Sequence, residues 1–224
     1  LQVLLPGQTS LPGSSNGYTG EASTRTAGTE FTITVYGVDS NWNRNLACVE
    51  QVTIQTTDKY DTEPSGKGLT AGTTTFAVTL KTGAVGLTPN ATAQICATNQ
   101  PGYTLSSNTS TVVTAVPGSA AKLLIILPGE SAVAGKNTDP FGKTGNPGNW
   151  TAGTSTGIVI VSCDANWNVK PAQPSVSVKL SDPNNTSVQS LSLLASGYRT
   201  FSVTPYTVGL CSATAWATSY EQYT

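Results

Sequence analysis

The sequence predicts an all-β chain built as two tandem sandwich domains, and three observations predict it. The chain repeats itself: residues 26–43, TAGTEFTITVYGVDSNWN, return as residues 151–168, TAGTSTGIVIVSCDANWN, 125 positions later. Residues 1–7, LQVLLPG, return as 123–129, LLIILPG, and TTFAVT at 74–79 returns as RTFSVT at 199–204. Apolar residues come in short alternating runs bounded by Gly, Asn, Asp and Pro, the pattern of half-buried strands. No window carries the periodicity of a long helix. A repeat of this length is a complete folding unit, because roughly 110 residues can bury a core and shorter repeats seldom do.

The elements follow in order. LQVLL at 1–5 opens the first domain as a strand, and the Gly, Ser and Pro residues of 6–20 make a long irregular connection. EFTITVYGV at 30–38 alternates with period two, so Phe31, Ile33 and Val35 share a face. DSNWN turns the chain, since Asp and Asn tolerate left-handed backbone and cap themselves. Further strands are expected at 48–56, weakly near 68–70, then at 73–81, 91–98 and 109–116. The linker PGSAA at 117–121 ends the first domain, which gives domains of 1–117 and 118–224. Seven short strands in about 115 residues is the signature of an immunoglobulin-like β-sandwich, here expected twice.

The TAGT turn, an alternating strand ending in Val-Asp, an Asn-containing turn, and a next strand ending in Thr57-Asp58 or Ser181-Asp182 together resemble the bacterial immunoglobulin-like tandem repeats of large cell-surface and filament proteins. The resemblance covers both halves, and its motifs are structural. It implies an extracellular or cell-surface location and a role as spacer, adhesive or assembly module, or accessory domain of a secreted enzyme, without supplying a ligand.

Four cysteines, an even number, suggest two disulfides and an oxidising compartment. Cys48 and Cys96 are as far apart as Cys163 and Cys211, yet at the repeat offset Cys163 matches Val38 and Cys48 matches Gln173, so the pairs are not copies. Read onto an immunoglobulin sandwich, Cys163 is expected to join Cys211, and Cys48 to join Cys96. Free buried thiols are the alternative.

Charged residues make up 10% of the chain and the net charge is −1. No basic face exists for nucleic acid, and the most apolar stretch, 120–127, is far shorter than the roughly 20 residues of a spanning helix, so neither nucleic acid nor membrane insertion is expected. Histidine is absent, which removes His-based triads and ordinary zinc sites. The carboxylates are scattered over turns, and neither enzyme activity nor a cofactor is expected. Asp39, Asn41 and Asn43 occupy the first, third and fifth positions of a calcium-type loop and Glu50 the twelfth, but Arg44 stands where such a loop needs Gly, which leaves them weak metal candidates. The plainer expectation is that Asp39 and Asp164 cap their turns while Trp42 and Trp167 cover the ends of the sandwiches.

Acceptor triplets for N-glycosylation occur at Asn90, Asn108, Asn149, Asn184 and Asn185. Loop aromatics such as Tyr60, Tyr103, Phe141, Trp150 and Tyr206 suggest a glycan or surface partner as the runner-up function. The second copy is short at its end: ATAW at 213–216 finishes a strand, and only TSYEQYT at 218–224 follows as a candidate last strand. Otherwise the edge stays open, and two explanations compete: the chain is a segment of a longer array, or another chain completes the sheet, with LQVLL of a neighbour (Leu1, Val3 and Leu5) the expected donor. Self-association or neighbouring domains of one array are therefore the expected partners, and the expected function is a non-enzymatic fibre, stalk or filament subunit, assembled head-to-tail by strand complementation.

Overall fold

The computed structural model describes residues 1–217 and divides into two compact units, Leu1–Lys81 with Ala91–Val116, and Thr82–Asn90 with Pro117–Thr224. The first unit opens with β1 (Gln2–Leu4), β2 (Thr9–Ser10), β3 (Tyr18–Thr19), β4 (Arg25–Thr26), β5 (Phe31–Tyr36), β6 (Gln51–Thr56), β7 (Lys67–Gly68) and β8 (Thr73–Val78). The chain then contributes β9 (Ala84–Val85) and β10 (Thr88–Pro89) to the second unit. It returns as β11 (Ala91–Ala93), β12 (Ile95–Asn99), β13 (Asn108–Thr109) and β14 (Val113–Val116).

One layer is the antiparallel sheet β1-β5-β8; the other is made of the ladders β13-β12-β6-β7 and β11-β14-β4. This is the division of an immunoglobulin-like sandwich, with the first, second and fifth main strands facing the third, sixth and seventh. Period two explains the core: Phe31, Ile33, Val35, Phe76 and Val78 point inward from one layer to meet Val52, Ile54, Ile95, Ala97, Val113 and Ala115 from the other. Strand β14 also runs parallel to β4, with Ala115 opposite Arg25 and Val116 opposite Thr26.

The second unit holds β15 (Lys122–Ile126), β16 (Glu130–Ala132), β17 (Lys143–Gly145), β18 (Thr156–Cys163), β19 (Ser175–Leu180), β20 (Gln189–Ser192), β21 (Tyr198–Val203) and β22 (Ala213–Trp216). Its sheets are β15-β18-β21 and β20-β19-β22. Phe201 fills the position that Phe76 fills in the first unit, and both are fully buried. The expected last strand at 218–224 lies outside the described residues.

Four expectations need correction. Residues 82–90 belong to the second unit, where Ala84 packs beside Leu124, Val161, Cys163 and Trp167, and the Gly83 amide donates to Asn168 Oδ1 at 2.7 Å. This is why β18 is apolar on both faces while β5 alternates: the outer face of β18 is covered. The connection 6–20 is not wholly irregular, because β2 and β3 form a hairpin, matched by β16 and β17 in the second unit.

The third correction concerns the cysteines, all four of which are free thiols. Strand parity separates each expected pair. Cys48 faces the first core, while Cys96 lies between the inward Ile95 and Ala97 and points to the other side of its sheet. Cys163 belongs to the outer cluster over β18, whereas Cys211 packs against the inner core. Burial pushes the Cys163 thiol up, and neighbouring Asp164 adds to the shift.

The fourth correction concerns Leu1, Val3 and Leu5. They are not a free donor but are 6%, 4% and 2% exposed in their own sandwich, with Val3 paired to Val35.

Candidate functional site

The two D-x-N-W-N loops are built alike. Asp39 Oδ1 accepts from the amides of Asn41 and Asn43, both at 2.9 Å, and Asp164 Oδ1 accepts from those of Asn166 and Asn168 at 2.8 and 3.0 Å. The side-chain amide of Asn43 donates to Asp39 Oδ2 at 3.0 Å, and that of Asn168 to Asp164 Oδ2 at 2.9 Å. Trp42 and Trp167 each take left-handed backbone, φ 65°, to close the loop. The donors surrounding Asp39, Asn43 first, hold its carboxyl below the usual carboxylate range. Asp164 is 1% exposed and takes a further bond from the Gly118 amide at 2.8 Å, while Asp39 stands in solvent.

This arrangement does not suit calcium. Backbone and side-chain N–H groups, not oxygens, surround the Asp39 carboxylate, and Glu50 turns elsewhere, accepting from Asn99, Thr104 and Leu105. Among the described residues no group of three or more potential acidic or sulfur ligands comes together as a metal site. Trp167 is buried beside Phe141, ring centroids 6.2 Å apart, in the cluster on the outer face of β18, whereas Trp42 is half-buried.

The Ser/Thr-Asp pairs are structural as well. Asp58 accepts from the amides of Tyr60 and Lys81, and Asp182 from those of Asn184, Tyr206 and Thr207 and from the Thr207 hydroxyl. The Thr207 hydroxyl and the amides around it hold the Asp182 carboxyl well below its ordinary value. In both units this aspartate ties the end of the third main strand to the chain leaving the fifth. Asp61 and Glu63 gather beside Asp58, where burial first, and mutual repulsion after it, raise both carboxyls.

The acceptor asparagines divide. Asn108 is occupied by the Val3 amide and Asn185 by the Thr204 carbonyl and the Ser187 amide, and Asn184 donates to Thr207. Asn90 and Asn149 are exposed.

The clearest difference between the units is at the edge of β22. In both units one hydroxyl residue clasps the sixth main strand: the Gln94 amide donates to Thr57 Oγ1, and the Ser212 amide donates to Ser181 Oγ. These bonds fix the correspondence, so residues 209–211 stand where β11 stands, and 213–216 where β12 stands. In the first unit this whole edge is paired, with Ala91 opposite Ala115, Ala93 opposite Val113 and Cys96 opposite Thr109. In the second, no strand pairs with the outer edge of β22 among the described residues.

A cleft of about 450 Å³ lies there, walled by Gly148, Asn149, Trp150 and Ala152 on one side and by Val208, Gly209, Leu210 and Cys211 on the other. Trp150 Nε1 is buried without a hydrogen-bond partner. Val208 and Leu210 are 91% and 107% exposed. Among the described residues, Trp150 is the loop aromatic that lines this cleft; Phe141 borders a smaller one with Trp167. The sequence signalled the short end of the repeat but not the cleft, which needs the register.

No family model and no curated protein matches the chain. Among solved structures, a β-glycosidase from Bacteroides vulgatus is similar at 12% identity and a TM-score of 0.32, over 88% of this chain and 22% of that one. The D0-D1 domain of Intimin is similar at 11% identity and a TM-score of 0.32 over 87% of each chain. The fibronectin(III)-like modules of Clostridium thermocellum CbhA are similar at 12% identity and a TM-score of 0.27, over 100% of this chain and 90% of that one. The chain spans about a fifth of the length of the glycosidase it matches.

Proposed function

We propose that the chain is a non-enzymatic structural module, a pair of immunoglobulin-like sandwiches in a surface fibre or stalk, that joins other chains through a sheet edge. The observation that carries this reading is the edge 209–216, unpaired among the described residues although the same edge of the first unit is fully covered. The carboxylates Asp39, Asp58, Asp164 and Asp182 support it, since each is committed to backbone amides and holds a turn. The low charge fits an extracellular packing role; the free thiols remove the disulfide argument for that location. Electron microscopy of the purified chain over a range of concentrations tests the reading: linear assemblies are expected, and strictly monomeric particles at every concentration would reject it.

Binding of a glycan or a surface protein is the second reading. Tyr103, Phe141 and Tyr206 are exposed and favour it, and silence on a glycan array would count against the glycan form.

A further inference from the structure

We propose that the cleft of the first unit walled by Tyr18 and Trp42 is a binding site for a neutral saccharide. The inference rests on the second reading above, glycan binding, and names its site and the chemistry of the sugar; it is independent of the sheet-edge reading.

The duplication supplies the comparison. In the first unit a cleft of about 310 Å³ lies between β1, the hairpin β2-β3, the D-x-N-W-N loop and β13, and Gln2, Asn16, Tyr18, Trp42, Asn108 and Thr109 line it. The second unit has a cleft at the same place, of about 120 Å³, with Leu124, Phe141, Lys143 and Trp167 in its walls. The repeat makes Gln2 the counterpart of Leu124, Asn16 of Phe141, Tyr18 of Lys143 and Trp42 of Trp167. One frame thus carries two surfaces. In the second unit Phe141 lies 6.2 Å from Trp167, and Lys143 pairs with Glu130 at 3.0 Å. In the first, Asn16, Tyr18 and Gln8 replace these three, with Gln8 accepting from the Leu5 amide as Glu130 accepts from that of Leu127. Among the described residues, none that lines the larger cleft is charged.

Closing such a cleft with apolar side chains is the more stable solution, and the second unit adopts it. The first leaves Trp42 half-buried, backed by Gly17, with its exposed part bordering the cleft. Gln2, 2% exposed, fixes that floor: its side-chain amide donates to the Gly17 carbonyl at 2.6 Å, and its Oε1 accepts from the Ser10 hydroxyl at 3.3 Å. The Val3 amide donates to Asn108 Oδ1 at 2.8 Å and so orients that side chain. Among the described residues no partner engages the Asn108 side-chain NH₂, the Thr109 hydroxyl or the Tyr18 hydroxyl.

These groups fix the ligand class. The indole and phenol rings offer negative faces to the weakly positive C–H bonds of a sugar ring. Amides and hydroxyls around them donate and accept, as sugar hydroxyls do. A carboxylate, sulfate or phosphate finds no cation in the lining, so the sugar is uncharged. A volume of about 310 Å³ is at the small end of ligand sites, which suits a terminal sugar unit.

The test exposes the full chain to immobilised neutral glycans ending in hexose or N-acetylhexosamine, with sialylated and sulfated glycans beside them. The best neutral binder is then titrated by calorimetry and indole fluorescence. Binding to neutral glycans is expected. Trp42→Ala is expected to weaken it on the order of tenfold or more. Asn16→Ala combined with Thr109→Ala, at two exposed positions, should weaken it severalfold with the melting temperature unchanged. Trp42→Phe keeps an aromatic face, so it should retain weaker binding and lose most of the fluorescence change. Tyr103→Ala, at an exposed aromatic outside the cleft, should leave binding intact. Silence on every glycan overturns the site and the glycan reading together. Binding that survives Trp42→Ala and the double variant, or that falls only with Tyr103→Ala, leaves the glycan reading standing and overturns the site. Binding confined to acidic glycans overturns the proposal as well.

Discussion

Gly142 lies against the indole of Trp167 so closely that a Cβ built on it would stand 2.9 Å from Trp167 Cβ and Cγ. Gly17 has the same relation to Trp42, with a built Cβ 2.3 Å from Cδ2. Both glycines have positive φ, 66° and 78°, and they sit 125 positions apart. The hairpins β2-β3 and β16-β17 therefore exist to bring a side-chain-free backbone against the tryptophan of each D-x-N-W-N loop. Gly142→Ala is expected to destabilise the second unit by about 2–4 kcal/mol, combining left-handed strain with overpacking against a buried ring. Denaturant unfolding checks this; a loss within 0.5 kcal/mol, roughly the effect of an ordinary surface change, would show that the contact is slack.

Asp164 is expected to matter more than its repeat partner. Asp164→Ala leaves the amides of Gly118, Asn166 and Asn168 without their acceptor in a buried loop, at about 1–3 kcal/mol for each donor that water cannot reach. Asp39→Ala exposes its donors to solvent, which can satisfy them, so the first unit should lose less. Thermal melts of the two variants compare them directly, and equal losses would contradict the assignment.

How far this architecture was legible in the sequence depends on the strand. FTITVY announces its own burial pattern, and β5 is where it was expected. The run IVIVSC does not, because burial on two faces looks the same as a generically apolar strand, and the covering segment 82–90 comes from the other repeat. The even number of cysteines and the immunoglobulin-like strand order suggested bridges, but neither carries side-chain parity, and parity places Cys96 and Cys163 on the wrong faces. Asp58 and Asp182 were visible as a repeated pair, while their partners Lys81 and Thr207 lie across a connection whose length differs between copies.

Acid should act on the two units in opposite senses. Asp182 titrates below its unfolded value near 4, so its contribution is complete above that pH and is lost as pH falls below it. Asp61 and Glu63 titrate above their unfolded values, so the folded first unit prefers them protonated and gains stability as pH falls from neutral towards about 4. Melting is expected to show the transition of the first unit moving up between pH 7 and about 4, where only Asp61 and Glu63 act, and that of the second moving down below about 4, where lowered Asp39 and Glu50 also begin to pull the first unit down. Asp182→Asn should flatten the fall of the second unit; if it leaves the slope intact, another carboxylate governs it.

The thiols give a direct count. Alkylation in denaturant without reductant is expected to add four labels, one per cysteine. Under native conditions Cys96 and Cys211, both half-buried, should react first, and Cys163 last, since burial disfavours its thiolate and blocks access. Mass spectrometry of tryptic fragments orders them; fewer than four labels in denaturant would mean that a bridge forms in solution.

The segment 82–90 makes the least intuitive demand, because it belongs by sequence to the first repeat and by packing to the second unit. Ala84 is 1% exposed among Leu124, Val161, Cys163 and Trp167, and the neighbouring Gly83 amide is held by Asn168. A carboxylate at position 84 would be buried in that apolar cluster, and desolvating it costs several kcal/mol, even with the Lys122 ammonium over the Trp167 ring, unless the segment lifts away. Ala84→Asp is accordingly expected to lower the stability of the second unit and to leave the core around Phe76 unchanged. Hydrogen exchange separates these outcomes: the amides of β18 should lose protection while those of β5 and β8 keep theirs. Equal loss in β5 and β18 would show that 82–90 stabilises its own repeat, and that the apolar outer face of β18 has some other cover.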